Sequence, residues 1–427
     1  SRHSERRFAK KIQKEVKESP VFNRAFTGFT LLDPETGKTL ADVNGDKYFT
    51  PASNTKILTL ATCLEVLGDS VPGMIWWEGD RSISITPVGD PTFLHPKFQY
   101  WQSIFDDLRK TPQGFTIEVN PVYGDITPLG PGWAWDDTDF DFSAERTYFP
   151  MYGNVKRLFA VNADSLSVEP GLWQKLLFKE KFHQYSQKSP FRHTESNAIW
   201  YNSASTIKAG FETFIPVRNS QDHLPELLID TLQRQVKWNS VPDGSINLNH
   251  LLRYSTPLDT VLRRMMYQSD NFIAEQMLLV CAGQKFDILQ QDTMIKWMLD
   301  SVLINLPQRP RWVDGSGLSR YNLISPNDLS LVLLKLWKEQ PHEYLMTLFP
   351  AGGMNGTVAD WYKGKDGKPY VFAKTGGMSG VHCLSGYVVT KSGKTLIFSF
   401  MHNNFVGSNK PWKQEMQRVL EVIWESN

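Results

Sequence analysis

The sequence predicts an α+β protein in which both ends of the chain build one antiparallel sheet, helices cover it, and a β-rich stretch is inserted. Three observations carry this reading. Strand-like runs cluster at the start of the chain, over 26–43, and at its end, over 370–402. Helical periodicity fills much of 258–337 between them. From 71 to 243 the segments are short, aromatic and broken by Pro, Gly and Asp, with no long helical pattern before about Thr231. The expected partition is therefore 1–70 with 244–427 as one domain, and 71–243 as the insertion.

Residues 4–17 space Phe8, Ile12 and Val16 four apart, an amphipathic helix that stops before Pro20. The runs 26–32 and 39–43 read as strands joined by a Pro34-Glu35-Thr36-Gly37 turn. They lead to Pro51-Ala52-Ser53-Asn54-Thr55-Lys56 and a buried helix over 57–67, which Gly68 ends. Inside the insertion, 82–85 and 115–119 are strand candidates. Helices are expected over 258–267, 273–280, 292–303 and 327–337, the last opened by Ser325-Pro326. The runs 370–374, 381–390 and 395–402 form a meander around a Lys391-Ser392-Gly393-Lys394 turn, and 410–424 is a closing helix.

Composition bounds the function. With 427 residues, 41% apolar and 21% charged, the chain is an ordinary globular protein of two or three domains. A net charge of +1 argues against a nucleic-acid partner. No apolar run reaches the ~18 residues that a membrane helix needs. Cys63, Cys281 and Cys383 are odd in number and set among apolar residues, so they read as buried free thiols. No metal-ligand spacing, P-loop or G-x-S-x-G elbow occurs, and no cofactor is expected. His382 and His402 fall on the meander and read as packed histidines.

The candidate chemistry lies in Ser53 and Lys56. Positions i and i+3 share a helix face, so hydroxyl and amine come within reach. A serine hydroxyl becomes nucleophilic when a nearby base takes its proton, and a desolvated lysine can be that base. Alone the pattern is weak, because Ser205-Thr206-Ile207-Lys208 repeats it, as Ser325-Pro326-Asn327 repeats Ser269-Asp270-Asn271. What selects Ser53 is the ordered set. Ser53 and Lys56 open an apolar helix, Ser269 and Asn271 sit between helices, and Lys374-Thr375-Gly376 ends a strand candidate.

This set resembles that of penicillin-binding proteins and class A β-lactamases. The chain is similar in particular to low-molecular-mass penicillin-binding proteins of the DacB type, the S13 peptidases with D-alanyl-D-alanine carboxypeptidase and endopeptidase activity. The stretches that carry the likeness are 51–56, 89–92, 132–137, 269–276, 314–326 and 374–386. The long insertion between the first two motifs is a mark of that family, and the deacylating glutamate loop of class A β-lactamases has no counterpart here. The resemblance implies a β-lactamase-like fold and an acyl-enzyme on Ser53, with Lys56 as general base. It implies Ser269 and Lys374 as proton relay to the leaving amine, and Asn271 as a hold on the substrate amide. The oxyanion would meet the N–H groups of Ser53 and Met378, and Thr375 and Gly376 would line the carboxylate site. It also implies that Asp137, with Asp136 beside it, and Arg320 bind the zwitterionic end of the stem peptide's third residue.

The implied partners are a peptidoglycan stem peptide and β-lactams as covalent inhibitors, and the implied location is periplasmic or exported. That location follows from the substrate, since no targeting segment is present in 1–7. One departure stands out: Gly377 occupies the position where the family usually has Ser or Thr, so a hydroxyl that could bind the terminal carboxylate is missing. Two other readings compete, a catalytically silent peptidoglycan-binding scaffold and a β-lactamase or esterase on the same fold.

Overall fold

The structure is a computed structural model that describes residues 2–122, 124–182, 189–240 and 251–426. It divides into two compact units, one made of 1–66, 259–274 and 292–427, the other of 67–258 and 275–291. The expected boundary at 243/244 lies outside the described residues. The second unit also takes the segment 275–291, because Leu279 and Leu289 pack into the cluster around Ile85, Phe149 and Leu228.

The first unit is built on a five-stranded antiparallel sheet in the order Val371–Met378, Val381–Val389, Thr395–Asn403, Phe26–Asp33 and Lys38–Val43. Both ends of the chain thus meet in the middle of one sheet, where Phe29 faces Phe400 and Thr30 faces Ser399. Cross-strand register sorts the side chains into two faces. The row Thr375, Leu384, Phe400, Phe29 looks toward the helices Arg2–Lys17 and Lys410–Glu425. Phe8, Ile12, Val16, Trp412, Met416 and Ile423 close over it as a buried core. The neighbouring row on the opposite face is Lys374, Ser385, Ser399 and Thr30, all buried. These small polar residues let the helix Pro326–Glu339 lie close, and Tyr387 donates from its hydroxyl to the Leu333 carbonyl at 2.8 Å.

The second unit contains a five-stranded sheet in the order Lys237–Trp238, Thr116–Val119, Ser82–Pro87, Ser70–Glu78 and Leu252–Pro257, and two three-stranded sheets. It is not wholly without helices. Ser103–Lys110 and Leu224–Leu232 are short ones that buried Ile104, Leu108, Leu227 and Leu228 anchor. Gln233 takes a left-handed conformation at φ 53° and ends the helix Leu224–Leu232. In the first unit, the helix expected over 292–303 runs only over Gln291–Trp297 and loosens into a π turn at Met298–Val302.

Candidate active site

Ser53 lies in a single 3₁₀ turn, Ala52–Thr55, and Lys56 is the first residue of the helix Lys56–Val66. Ala52 is held at φ 48°, a left-handed conformation that costs a non-glycine residue about 1–3 kcal/mol. Two neighbours impose it. The Asn54 amide donates to the Lys374 carbonyl at 2.9 Å, tying the turn to the sheet edge. On the other side Gly317 passes so close that a Cβ there would sit 1.8 Å from the Ala52 carbonyl oxygen.

The Lys56 amine is buried, and its partners include Ser53 Oγ at 3.0 Å, Asn271 Oδ1 at 2.6 Å and the Ser316 carbonyl at 2.8 Å. The two carbonyl oxygens can only accept, so they use two N–H bonds of the amine. Ser53 Oγ, at 3.0 Å, is close enough for the lone pair of a neutral Lys56 amine to take the serine proton.

Ser316 is placed by Asp314, whose carboxylate accepts from the backbone N–H of Gly317 and Ser319 and from the Asn322 amide, each at 2.8 Å. Thr59 on the nucleophile helix donates to the Gly315 carbonyl at 2.6 Å. The Asp-Gly-Ser-Gly stretch is therefore a buried wall of the site. Its working atom is a backbone carbonyl, which no side-chain motif announces; the acidic residue in a glycine-bearing loop was the one available signal.

Ser269 stands at φ 55° just before the helix Asn271–Phe286. Between the two motif residues, Asp270 accepts from the Ile273 backbone N–H at 3.0 Å and pairs with Arg264 at 2.9 Å. Capping the helix in this way fixes Ser269 and Asn271. Lys374 is buried and donates to Ser269 Oγ at 2.9 Å and to the Thr375 carbonyl at 2.8 Å. Burial, with the Lys56 charge nearby, holds its pKa well below the ordinary lysine value. Hydrogen bonds thus join Ser53, Lys56 and Asn271 in one group and Ser269 and Lys374 in another, all within one unit.

The edge strand corrects one expectation. Ala373 donates outward to Pro350, whereas Val389 donates to Tyr370 inside the ladder. Odd-numbered positions of Val371–Met378 therefore turn their N–H away from the sheet, and even-numbered ones turn it toward Val381–Val389. Met378 is paired with Val381 across the hairpin, so its N–H is aimed at that strand. The outward donor beside the nucleophile is Gly377. Gly376 fits against the serine turn, since a Cβ on it would lie 2.6 Å from the Pro51 carbonyl and 3.0 Å from the Ser53 nitrogen. Thr375 Oγ1 contacts Thr357 Oγ1 at 2.6 Å.

The remaining candidates lie elsewhere. Exposed Arg320 donates to the Ser379 carbonyl at 2.8 Å, next to the Lys374 strand. Asp137 ends a 3₁₀ turn, Trp135–Asp137, in the second unit. Ser205 and Lys208 are exposed in a loop with no helix to align them. Ser325 caps the helix Pro326–Glu339, accepting from Asp328, and Asn327 receives a short bond from Thr30, so that second Ser-x-Asn is structural. Cys63, Cys281 and Cys383 are free and buried.

An antiparallel sheet with a serine–lysine pair at the start of a buried helix and a lysine strand at its edge defines the class: the fold is that of a penicillin-binding protein. Its model match covers residues 8–148 and 210–423, and the chain belongs to the D-Ala-D-Ala carboxypeptidase 3 (S13) family. It is 24% identical to D-alanyl-D-alanine carboxypeptidase DacB of Haemophilus influenzae, over 94% of this chain and 89% of that protein. It is 24% identical to the D-alanyl-D-alanine carboxypeptidase of Actinomadura sp., over 92% of this chain and 80% of that one. The crystal structure of penicillin binding protein 4 (dacB) from Haemophilus influenzae shares the fold, with TM-score 0.74, 21% identity and coverage of 98% and 99%.

Proposed function

We propose that this protein is a serine D-Ala-D-Ala carboxypeptidase, with endopeptidase capacity, that cleaves peptidoglycan stem peptides through an acyl-enzyme on Ser53. The observation that carries the reading is the buried Lys56 amine 3.0 Å from Ser53 Oγ, held by the Asn271 and Ser316 carbonyl oxygens. Ser53 gives its proton to Lys56 as Oγ bonds to the carbonyl carbon of the penultimate D-alanine. The oxyanion is received by the N–H groups of Ser53 and Gly377; one such donor is typically worth about 10²–10³ in kcat. Asn271 orients the substrate amide with its Nδ2. The C–N bond then breaks as the leaving amine takes a proton from Ser269, which Lys374 resupplies. Water then adds to the ester carbonyl, Lys56 returns its proton to Ser53 Oγ as the ester bond breaks, and the proton released from water restores Lys374. A β-lactam follows the same first step, and its ring carbonyl remains on Ser53 as a slowly released ester. Peptidoglycan lies outside the cytoplasmic membrane, so an exported or periplasmic location goes with this reading.

The test is release of D-alanine from diacyl-L-Lys-D-Ala-D-Ala and of monomer from a cross-linked dimer, beside intact mass after penicillin. Rapid turnover of penicillin with no peptide cleavage would indicate a β-lactamase; neither cleavage nor adduct would indicate a silent scaffold.

Two further results are expected. Lys374 acts while protonated, and its pKa is depressed, so kcat/KM falls as pH rises through a value below the ordinary lysine range. Lys374→Arg, whose guanidinium cannot give up a proton, should lower the maximum rate strongly and erase that alkaline limb. Arg320 is offered as a recognition residue for the stem peptide's third residue. Substituting it should impair cleavage of a diaminopimelyl peptide far more than of a simple diacyl-D-Ala-D-Ala; equal losses exclude the assignment.

A further inference from the structure

Gly377 is exposed at the end of the edge strand, and a Cβ built on it would meet only His382 Nδ1 at 3.9 Å and Asn409 Nδ2 at 4.0 Å. The position thus opens onto two polar side chains that the mechanism above does not use. His382 lies directly across the ladder from Gly377 and is buried. Asn409 precedes the helix Lys410–Glu425 without capping it, since its side chain makes no bond to that helix's backbone. What it does touch is His382, with Nδ2 at 3.2 Å from Nδ1. Burial pushes the imidazole pKa down to about 3, so the ring is neutral and its Nδ1 accepts from Asn409. One N–H of the amide is used in this bond, and the second is left to point elsewhere.

Covalent geometry says what comes near. With the scissile carbonyl oxygen on the Gly377 N–H, the carboxylate of the leaving residue follows only two atoms after the scissile carbon. It is then within about 4 Å of that carbon. It must settle beside Gly377 and Thr375, whose side-chain positions share one face of the strand. Asn409 stands on that face at the place a side chain at 377 would reach.

We propose that Asn409, oriented by His382, is a specificity-determining residue that donates a hydrogen bond to the carboxylate on the leaving-group side of the scissile bond. The assignment rests on the peptidase reading. It makes Gly377 a site whose missing hydroxyl is replaced from the C-terminal helix. The same contact serves a terminal D-alanine and a diamino acid at a cross-link that keeps its carboxylate.

The experiment uses two thioesters of one diacyl-lysyl-D-alanyl group, one of thioglycolate and one of methanethiol, which lacks only the carboxylate. Asn409→Ala should lower kcat/KM for the thioglycolate ester about 10- to 100-fold, the effect of removing a hydrogen bond to a charged group, and leave the methyl thioester within about twofold. Adding Gly377→Ser to that variant should restore discrimination, since a serine side chain fits there without strain. Equal loss on both thioesters, or unchanged discrimination in Asn409→Ala, overturns the inference. A wild-type protein that turns over neither thioester overturns the peptidase reading and this inference with it.

Discussion

Ser53→Ala should take up no label from a radiolabelled penicillin, while the wild-type protein gains the mass of one opened β-lactam on Ser53. Removing the nucleophile of a serine hydrolase costs on the order of 10⁶ in kcat, so residual peptidase activity should be undetectable. The fold should survive. Ser53 is half-buried, its hydroxyl bonds only to the Lys56 amine among the bonds described, and Lys56 keeps two carbonyl acceptors when it is lost. Unchanged circular dichroism with complete loss of labelling is the expected pair of results. Ser205→Ala, in an exposed loop, should label like wild type. Labelling that persists in Ser53→Ala would place the nucleophile elsewhere.

The second large effect is expected at Gly376. A methyl group there would lie 2.6 Å from the Pro51 carbonyl and 3.0 Å from the nitrogens of Ser53 and Asn54, all backbone atoms. None can turn aside as a side-chain tip would, so Gly376→Ala must push the edge strand and the serine turn apart. A displacement of about 1 Å between reacting groups is enough to cost roughly 10²-fold. The second-order rate of penicillin acylation should fall by at least that factor, with all five polar residues intact. Gly68→Ala, where a Cβ meets nothing within 4 Å, is the matched control and should acylate at the wild-type rate. An unimpaired Gly376→Ala would mean that strand and turn are not held together as described.

The contrast between these two residues marks how far the sequence could be read. Side-chain chemistry at fixed spacing was legible: Ser53, Lys56, Ser269, Asn271 and Lys374 could be picked out as a set, and hydrogen bonds link Ser53, Lys56 and Asn271 in one group and Ser269 with Lys374 in another. The strands at both ends were legible too, because alternation and apolar runs mark them directly. Backbone roles were not. Gly377 rather than Met378 turns its N–H outward because of where the ladder begins, and one residue of parity reverses the answer. Ser316 contributes a carbonyl, which every residue possesses. The short helix Ser103–Lys110 escaped notice because only Ile104 and Leu108 mark its buried face. Asn409 could not be found at all, since nothing in its neighbourhood of sequence connects it to position 377.

The pairing of Phe26–Asp33 with Thr395–Asn403 has a consequence for how the molecule comes into being. The strand Phe26–Asp33 has no inner neighbour until a segment made more than three hundred and sixty residues later has left the ribosome. At about 5–20 residues per second, the early strand waits tens of seconds for its partner. A nascent chain stopped shortly after Lys391 would carry Ser53, Lys56, Ser269, Asn271 and Lys374 and still lack the strand that joins the two halves of the sheet. Until Thr395–Asn403 emerges, this sheet cannot close across its middle, and its unpaired strand edges are open to association with other chains.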